Sequence, residues 1–222
     1  MLVAVQNPVK QRWFERLLIS SRIDWDSAKH VQTLVSFGIV CDTNSSDLSC
    51  QILYEMRMPS WDQLTDDALR CLINSEAEMD EFGYQIARYL EAGDVVALIG
   101  DLGAGKTRFV KAVAQARKVP IDEVSSPTFT LIQEYVGDTL IRHCDTYRLK
   151  NADEFADLGL DELFGSDGIA FVEWADRVEE YLPRDRLTVR IAIESPESRT
   201  IDVLSSGRRS RQIVSGMASE SI

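Results

Sequence analysis

Eight consecutive residues constrain this chain more than any other stretch: Gly100, Asp101, Leu102, Gly103, Ala104, Gly105, Lys106 and Thr107. They fit the pattern GxxxxGK[ST], which random sequence of this length matches about once in a hundred chains at a glycine usage of ~7%. Val95, Val96, Ala97, Leu98 and Ile99 run into the segment. They are wholly apolar and largely β-branched, as a strand buried on both faces of a parallel sheet must be. Residues 108–116 leave it with Phe109, Val110 and Val113 on one side, the spacing of a helix. Strand, glycine loop and helix together make the context in which this pattern cradles phosphates. Glycines let backbone N–H groups point into a phosphate chain, and the helix N-terminus adds its positive end. All eight residues are therefore candidate nucleotide contacts. Lys106 is expected to place its ammonium on the β- and γ-phosphates, a catalytic as well as a binding part, and Thr107 to offer its hydroxyl to Mg²⁺.

A Mg²⁺ nucleotide site also wants a carboxylate at the end of a neighbouring strand. Residues 168–172 form an apolar run that ends in Glu173, and residues 140–145 end in Asp145. Both acids are candidates for that carboxylate, and the glycine loop favours Glu173, whose run has the Walker B form, as the metal ligand beside Thr107. His143, two residues earlier, reads as a packed strand residue rather than a general base.

The rest of the pattern extends an α/β reading. Ser75 followed three residues later by Glu78 has the form of a capping box, and Met79, Phe82, Ile86 and Leu90 then recur on one helical face. Residues 131–136 and 139–146 read as a hairpin about Gly137 and Asp138. Asn151 opens a further helix carrying Phe155, Leu158 and Leu163, and residues 187–193 and 200–204 pair across a turn. The expected fold is a P-loop NTPase-like, mixed and mostly parallel sheet flanked by helices, with antiparallel hairpins. The P-loop domain is placed at residues 67–206. Residues 1–66, which hold Trp13, Trp25 and Trp61 but no clear period, read as a poorly ordered extension, or as sequence ahead of a true start at Met56 or Met58. Residues 207–222, rich in Ser and Arg, read as a flexible tail.

Composition narrows the function. The net charge of −12 argues against nucleic-acid binding by bulk charge. No apolar run approaches the ~20 residues of a membrane span. The four cysteines, Cys41, Cys50, Cys71 and Cys144, form no CxxC pair and suit free thiols in a cytoplasmic protein.

Four segments occur in order: residues 100–107, Ser125 to Leu131 (SSPTFTL), His143 to Leu149 (HCDTYRL), and Val172 to Arg177 (VEWADR). The chain in this respect closely resembles the TsaE (YjeE) family of bacterial P-loop ATPases, over about residues 75–204. The resemblance implies ATP and Mg²⁺ as cofactors and a part in making threonylcarbamoyladenosine in tRNA. It implies TsaD and TsaB as partners, which carry out the transfer, with tRNA met only indirectly. It also implies a role for Ser125 to Thr130 as a switch-like loop beside the γ-phosphate, for Asp145 in hydrolysis, and for Glu173 as Mg²⁺ ligand. It puts Trp174 near the nucleotide, Glu76 near the adenine, and Arg199 at a nucleotide contact in the last hairpin. Cys144 and Thr146 stand where the family usually has apolar residues. Residues 1–66 lie outside the resemblance.

Other P-loop classes fit less well. No glycine after Thr107 has Asp three residues before it and no NKxD occurs, so the GTPase markers are missing. A small-molecule kinase, the main alternative, usually needs an Arg-rich lid, whereas residues 151–180 hold ten acids and one base, Arg177. That stretch is either a solvated face or a docking surface. A nucleotide switch without turnover is the third class. No arginine finger or water-orienting Gln is evident, so slow hydrolysis by the isolated chain is expected.

Overall fold

The apolar run ahead of the glycine loop lies at the centre of an eight-stranded mixed sheet. A computed structural model describes residues 61–120 and 123–219. The expectations for residues 1–60 lie outside them. The elements in chain order are β1 (Asp62–Thr65), β2 (Ala68–Ile73), α1 (Glu76–Ala87), β3 (Val95–Ile99), α2 (Lys106–Ala116), β4 (Ile132–Val136) and β5 (Leu140–Asp145). There follow α3 (Asp153–Ala156), α4 (Leu160–Leu163), β6 (Gly168–Glu173), a 3₁₀ segment (Ala175–Tyr181), β7 (Leu187–Ile193), β8 (Arg199–Ser205) and α5 (Arg208–Ser219). The sheet order is β1-β2-β8-β7-β3-β6-β5-β4. Its middle, β7-β3-β6-β5, is parallel, and antiparallel pairs flank it on both sides.

β3 shows why both faces had to be apolar. Val96 and Leu98 enter one core with Phe82, Phe109 and Phe171, while Ala97 enters the opposite core with Cys144, Phe155 and Val172. The rings of Phe82 and Phe109 stack at 4.9 Å, and Phe171 meets Phe109 edge-on at 6.2 Å. Each such buried ring contributes roughly 1.5–3 kcal/mol. α1 packs closely on α2 because position 83 is glycine: a Cβ there would lie 2.5 Å from the Ala112 Cβ. The cap of α1 is Ser75, whose Oγ accepts from the Glu78 N–H at 3.1 Å. The return bond of the expected box goes instead to the Asn74 N–H, one residue earlier, at 2.8 Å.

Three local readings are corrected. The helix expected after Asn151 is two single turns, α3 and α4, broken at Gly159 with φ 78°. The last residues of the expected extension belong to the sheet: β1 pairs with β2, and the Trp61 ring lies 5.5 Å from Phe82. Residues 208–219, expected to be flexible, form α5, which buries Ile213, Val214 and Met217 against the core. Sparse apolar residues among Ser and Arg hid this helix, because its N-terminus is capped from a distant loop. Asp185 accepts from the Arg209 N–H at 2.8 Å, the Ser210 N–H at 3.0 Å and the Ser210 hydroxyl at 2.8 Å.

Burial alone would raise the Asp185 carboxyl, but those N–H and O–H donors outweigh it and hold the group below its ordinary 3.8. Asp185→Ala is expected to lower stability by about 1–2 kcal/mol, the usual cost of a lost cap, in denaturant unfolding. A lowered folded-state pKa stabilises above the unfolded value. The Asp185 contribution is therefore present above about pH 4 and lost as pH falls through the lower folded-state value. The gap between wild type and variant should close in unfolding curves taken below that point.

Candidate functional site

Because β3, β6 and β5 run parallel, their C-terminal ends share one edge of the sheet, where open α/β folds place their ligands. The glycine loop leaves β3 there and turns into α2 at Lys106. Gly103 and Gly105 hold φ of 82° and 109°, values that suit residues without a Cβ. The N-cap of α2, Gly105, provides no side-chain cap, so the first N–H groups of the helix stay available for an anion.

Lys106 is buried and its Nζ donates to the carbonyls of Gly100 at 2.6 Å and Asp101 at 3.0 Å. The same ammonium lies 3.8 Å from the centroid of the Trp174 ring. Burial pushes the lysine below its ordinary value, against the pull of Glu173 and Asp145. Trp174 holds a left-handed φ of 58°, uncommon outside glycine. Thr146 fixes that corner, its hydroxyl donating to the Glu173 and Trp174 carbonyls at 3.0 Å each. Arg177 adds bonds to the carbonyls of Thr146, Tyr147 and Leu149. No sequence pattern assigns Thr146 or Arg177 a part in shaping this corner, since their work is on backbone carbonyls just beyond the end of the neighbouring strand.

The two strand-end carboxylates are register partners across β5 and β6, and both are buried. Glu173 Oε1 accepts from the Thr107 hydroxyl at 2.7 Å and pairs with His143 Nε2 at 2.8 Å. Asp145 Oδ2 accepts from the hydroxyls of Thr128 at 2.6 Å and Ser126 at 3.4 Å, and Oδ1 accepts from the Tyr147 N–H at 3.0 Å. The loop containing Ser125 to Thr130 therefore reaches Asp145 directly. The two bases nearest Asp145 in sequence, Arg142 and Arg148, are engaged elsewhere. Arg142 pairs with Glu134 at 2.9 Å and Asp167 at 2.8 Å, and Arg148 lies 4.0 Å over the Phe129 ring.

The outlying expected residues differ in how they meet this centre. Arg199 crosses from β8 to the glycine loop, Nε donating to the Ala104 carbonyl at 3.2 Å and Nη2 to that of Gly103 at 3.4 Å. Glu76, at the start of α1, is largely exposed and ion-paired with Arg108 of α2, which also binds Asp80 at 2.6 Å. Leu102, within the glycine loop, and Phe129, between Ser125 and Thr130, are exposed.

Among the described residues no group of three or more His, Cys, Asp or Glu could hold a metal ion. Thr107 and Glu173 nonetheless converge two hard oxygen donors on one point. That is the sparse protein contribution Mg²⁺ takes when phosphates and water complete its shell, so these residues fit the ion.

The model of the family described as threonylcarbamoyl adenosine biosynthesis protein TsaE matches residues 73–201, more than half of the chain. The chain belongs to the TsaE family. It is 37% identical to the tRNA threonylcarbamoyladenosine biosynthesis protein TsaE of Treponema pallidum over 135 residues, covering 61% of this chain and 99% of that one. The Bacillus subtilis protein of the same name is 44% identical over 124 residues, covering 55% and 77%. The crystal structure of Bacillus subtilis YdiB superposes with a TM-score of 0.59 at 32% identity, over 70% of this chain and 97% of that one. The TsaE match spans the glycine loop, both carboxylates and Arg199. Among the described residues, no helix is long and apolar enough to cross a membrane.

Proposed function

We propose that this chain binds ATP with Mg²⁺ at the glycine loop and hydrolyses it slowly, and that this activity supports threonylcarbamoyl transfer to adenosine in tRNA by partner proteins equivalent to TsaB and TsaD. The observation that carries the catalytic part is the Thr107–Glu173 bond with Asp145 beside it in register. The names of the relatives, which are tRNA threonylcarbamoyladenosine biosynthesis proteins, support the pathway.

The chemistry follows from what each side chain already holds. Lys106 binds two loop carbonyls, and β- and γ-phosphate oxygens would replace them with stronger, charged acceptors. The free N–H groups at the start of α2 add to the same cradle. Thr107 and Glu173 would hold Mg²⁺, which when bound neutralises charge on the β- and γ-phosphates. Asp145, next to Glu173 and backed by the Thr128 hydroxyl, is placed to orient the attacking water. Water attacks the γ-phosphorus as the bond to the β–γ bridging oxygen breaks, leaving ADP and phosphate. Two arginines are already engaged, Arg148 on Phe129 and Arg199 on glycine-loop carbonyls, which accords with slow turnover by the chain alone. The kinase alternative gains nothing here: residues 151–180, where its lid would fall, hold a single base.

Lys106→Ala is expected to weaken ATP binding by on the order of 1.5–3 kcal/mol, the value of a charged hydrogen bond, in calorimetric titration. Unchanged affinity would remove the loop from the account. Asp145→Asn keeps the shape and removes the charge. ATP should still bind within a few-fold, while kcat falls by about 10²-fold or more, as for a lost acid–base or positioning group. A variant with a lower melting temperature but intact turnover per folded molecule would make Asp145 a structural acid. The role itself is tested by phosphate release with and without TsaB and TsaD, for which stimulation by the partners is expected.

A further inference from the structure

His143 is fully buried between the carboxylate of Glu173 and the hydroxyl of Tyr135 on β4. Glu173, as a carboxylate, can only accept, so the hydrogen-bond network assigns the ring proton to Nε2 and makes it the donor. The Glu173 oxygen that it holds is the one that also accepts from Thr107. A metal ion would take a lone pair of the Thr107 hydroxyl oxygen and leave its proton for Glu173, with His143 as the second protein donor that keeps the carboxylate aimed. On its other side, the Tyr135 hydroxyl has one proton and three acceptors around it. These are the Ser125 carbonyl at 2.8 Å, the Gln133 side-chain oxygen at 2.9 Å and His143 Nδ1 at 3.4 Å. Ser125 begins the loop whose Ser126 and Thr128 hydroxyls bind Asp145. Both carboxylates are thus tied to one loop, Asp145 directly and Glu173 through His143 and Tyr135.

We propose that His143 is a positioning residue for the Glu173 carboxylate, and that Tyr135 couples it to the loop beginning at Ser125. Hydrogen bonds in such a chain polarise one another. A loop movement that withdraws the Ser125 carbonyl leaves the Tyr135 proton to Gln133 Oε1 and His143 Nδ1 alone, and the share that passes to Nδ1 strengthens the Nε2–H bond to Glu173. The inference rests on the reading of Glu173 as a Mg²⁺ ligand.

The test compares ATP affinity by calorimetry in Mg²⁺ and in EDTA for wild type, His143→Gln and His143→Asn. A glutamine amide reaches the place of Nε2, whereas an asparagine amide reaches only that of Nδ1. His143→Asn is expected to lose about tenfold of the Mg²⁺-dependent gain in affinity, the low end for an outer partner of a metal ligand, with His143→Gln keeping it within about threefold. Affinity in EDTA should stay within about twofold in all three, since the phosphate cradle is untouched. Full retention by His143→Asn, or equal loss in both variants, overturns the proposal. A wild type that gains nothing from Mg²⁺ overturns the metal reading itself, so the two failures are distinct. Where His143→Asn fails to fold, wild-type protein labelled with ¹⁵N-histidine decides. With two histidines in the chain, His30 and His143, the His143 Nε2–H should appear as a slowly exchanging resonance with Mg²⁺ and ATP, and its rapid exchange overturns the assignment.

Discussion

The parallel register of β3, β6 and β5 is the constraint on which the site depends. It sets Leu98 beside Glu173 and Glu173 beside Asp145, so that one sheet edge presents the glycine loop and both acids together. Side chains alternate along a strand, so a slip of one residue would turn either carboxylate into the opposite core. What prevents the slip is burial on both faces. Val96 and Leu98 are committed to one core and Ala97 to the other, and Phe171 and Val172 divide in the same way on β6. The apolar run that looks merely structural is therefore the device that aligns the polar ends.

That alignment creates an electrostatic problem, because a lysine and two carboxylates are taken out of water within one small region. Buried charge is tolerated when each group keeps a partner. Lys106 has loop carbonyls and the Trp174 face, Glu173 has Thr107 and His143, and Asp145 has Thr128 and a backbone N–H. Most of these partners are neutral groups on loops rather than opposing charges locked to one another. Ion pairs of buried charge would be costly to open, whereas carbonyls and hydroxyls can be exchanged for phosphate oxygens and a metal ion at little net loss.

The glycine loop, its flanking strand and helix, and the Glu173 and Asp145 strand ends could be read from sequence because each is a local pattern. Apolar runs, glycine spacing and a terminal acid all lie within a few residues. Thr128 and His143 stand in the sequence only as members of segments that resemble the family, and Tyr135 has no role there, since what each one holds is decided by strand pairing and loop return rather than by a local pattern. α5 failed for a related reason. Its cap, Asp185, lies more than twenty residues before the helix, and its three buried apolar residues are scattered among Ser and Arg. β1 was lost because Asp62–Thr65 is an exposed four-residue edge strand without alternation.

The elements that escaped the sequence reading are not peripheral to the site. Arg199 reaches the Ala104 and Gly103 carbonyls from the first residue of β8. That strand is held by β7 on one side and β2 on the other, with Arg199 itself in register with Ile73 and Ile193. α5 packs onto the same face through Ile213 and Val214, and Arg211 ties it to Asp67 in the turn between β1 and β2. The antiparallel half of the sheet is thus a brace. It fixes where one guanidinium meets the glycine loop, and a loop rich in glycine, which loses more backbone freedom on ordering than any other sequence, needs such an external hold to keep its N–H groups aimed before a nucleotide arrives.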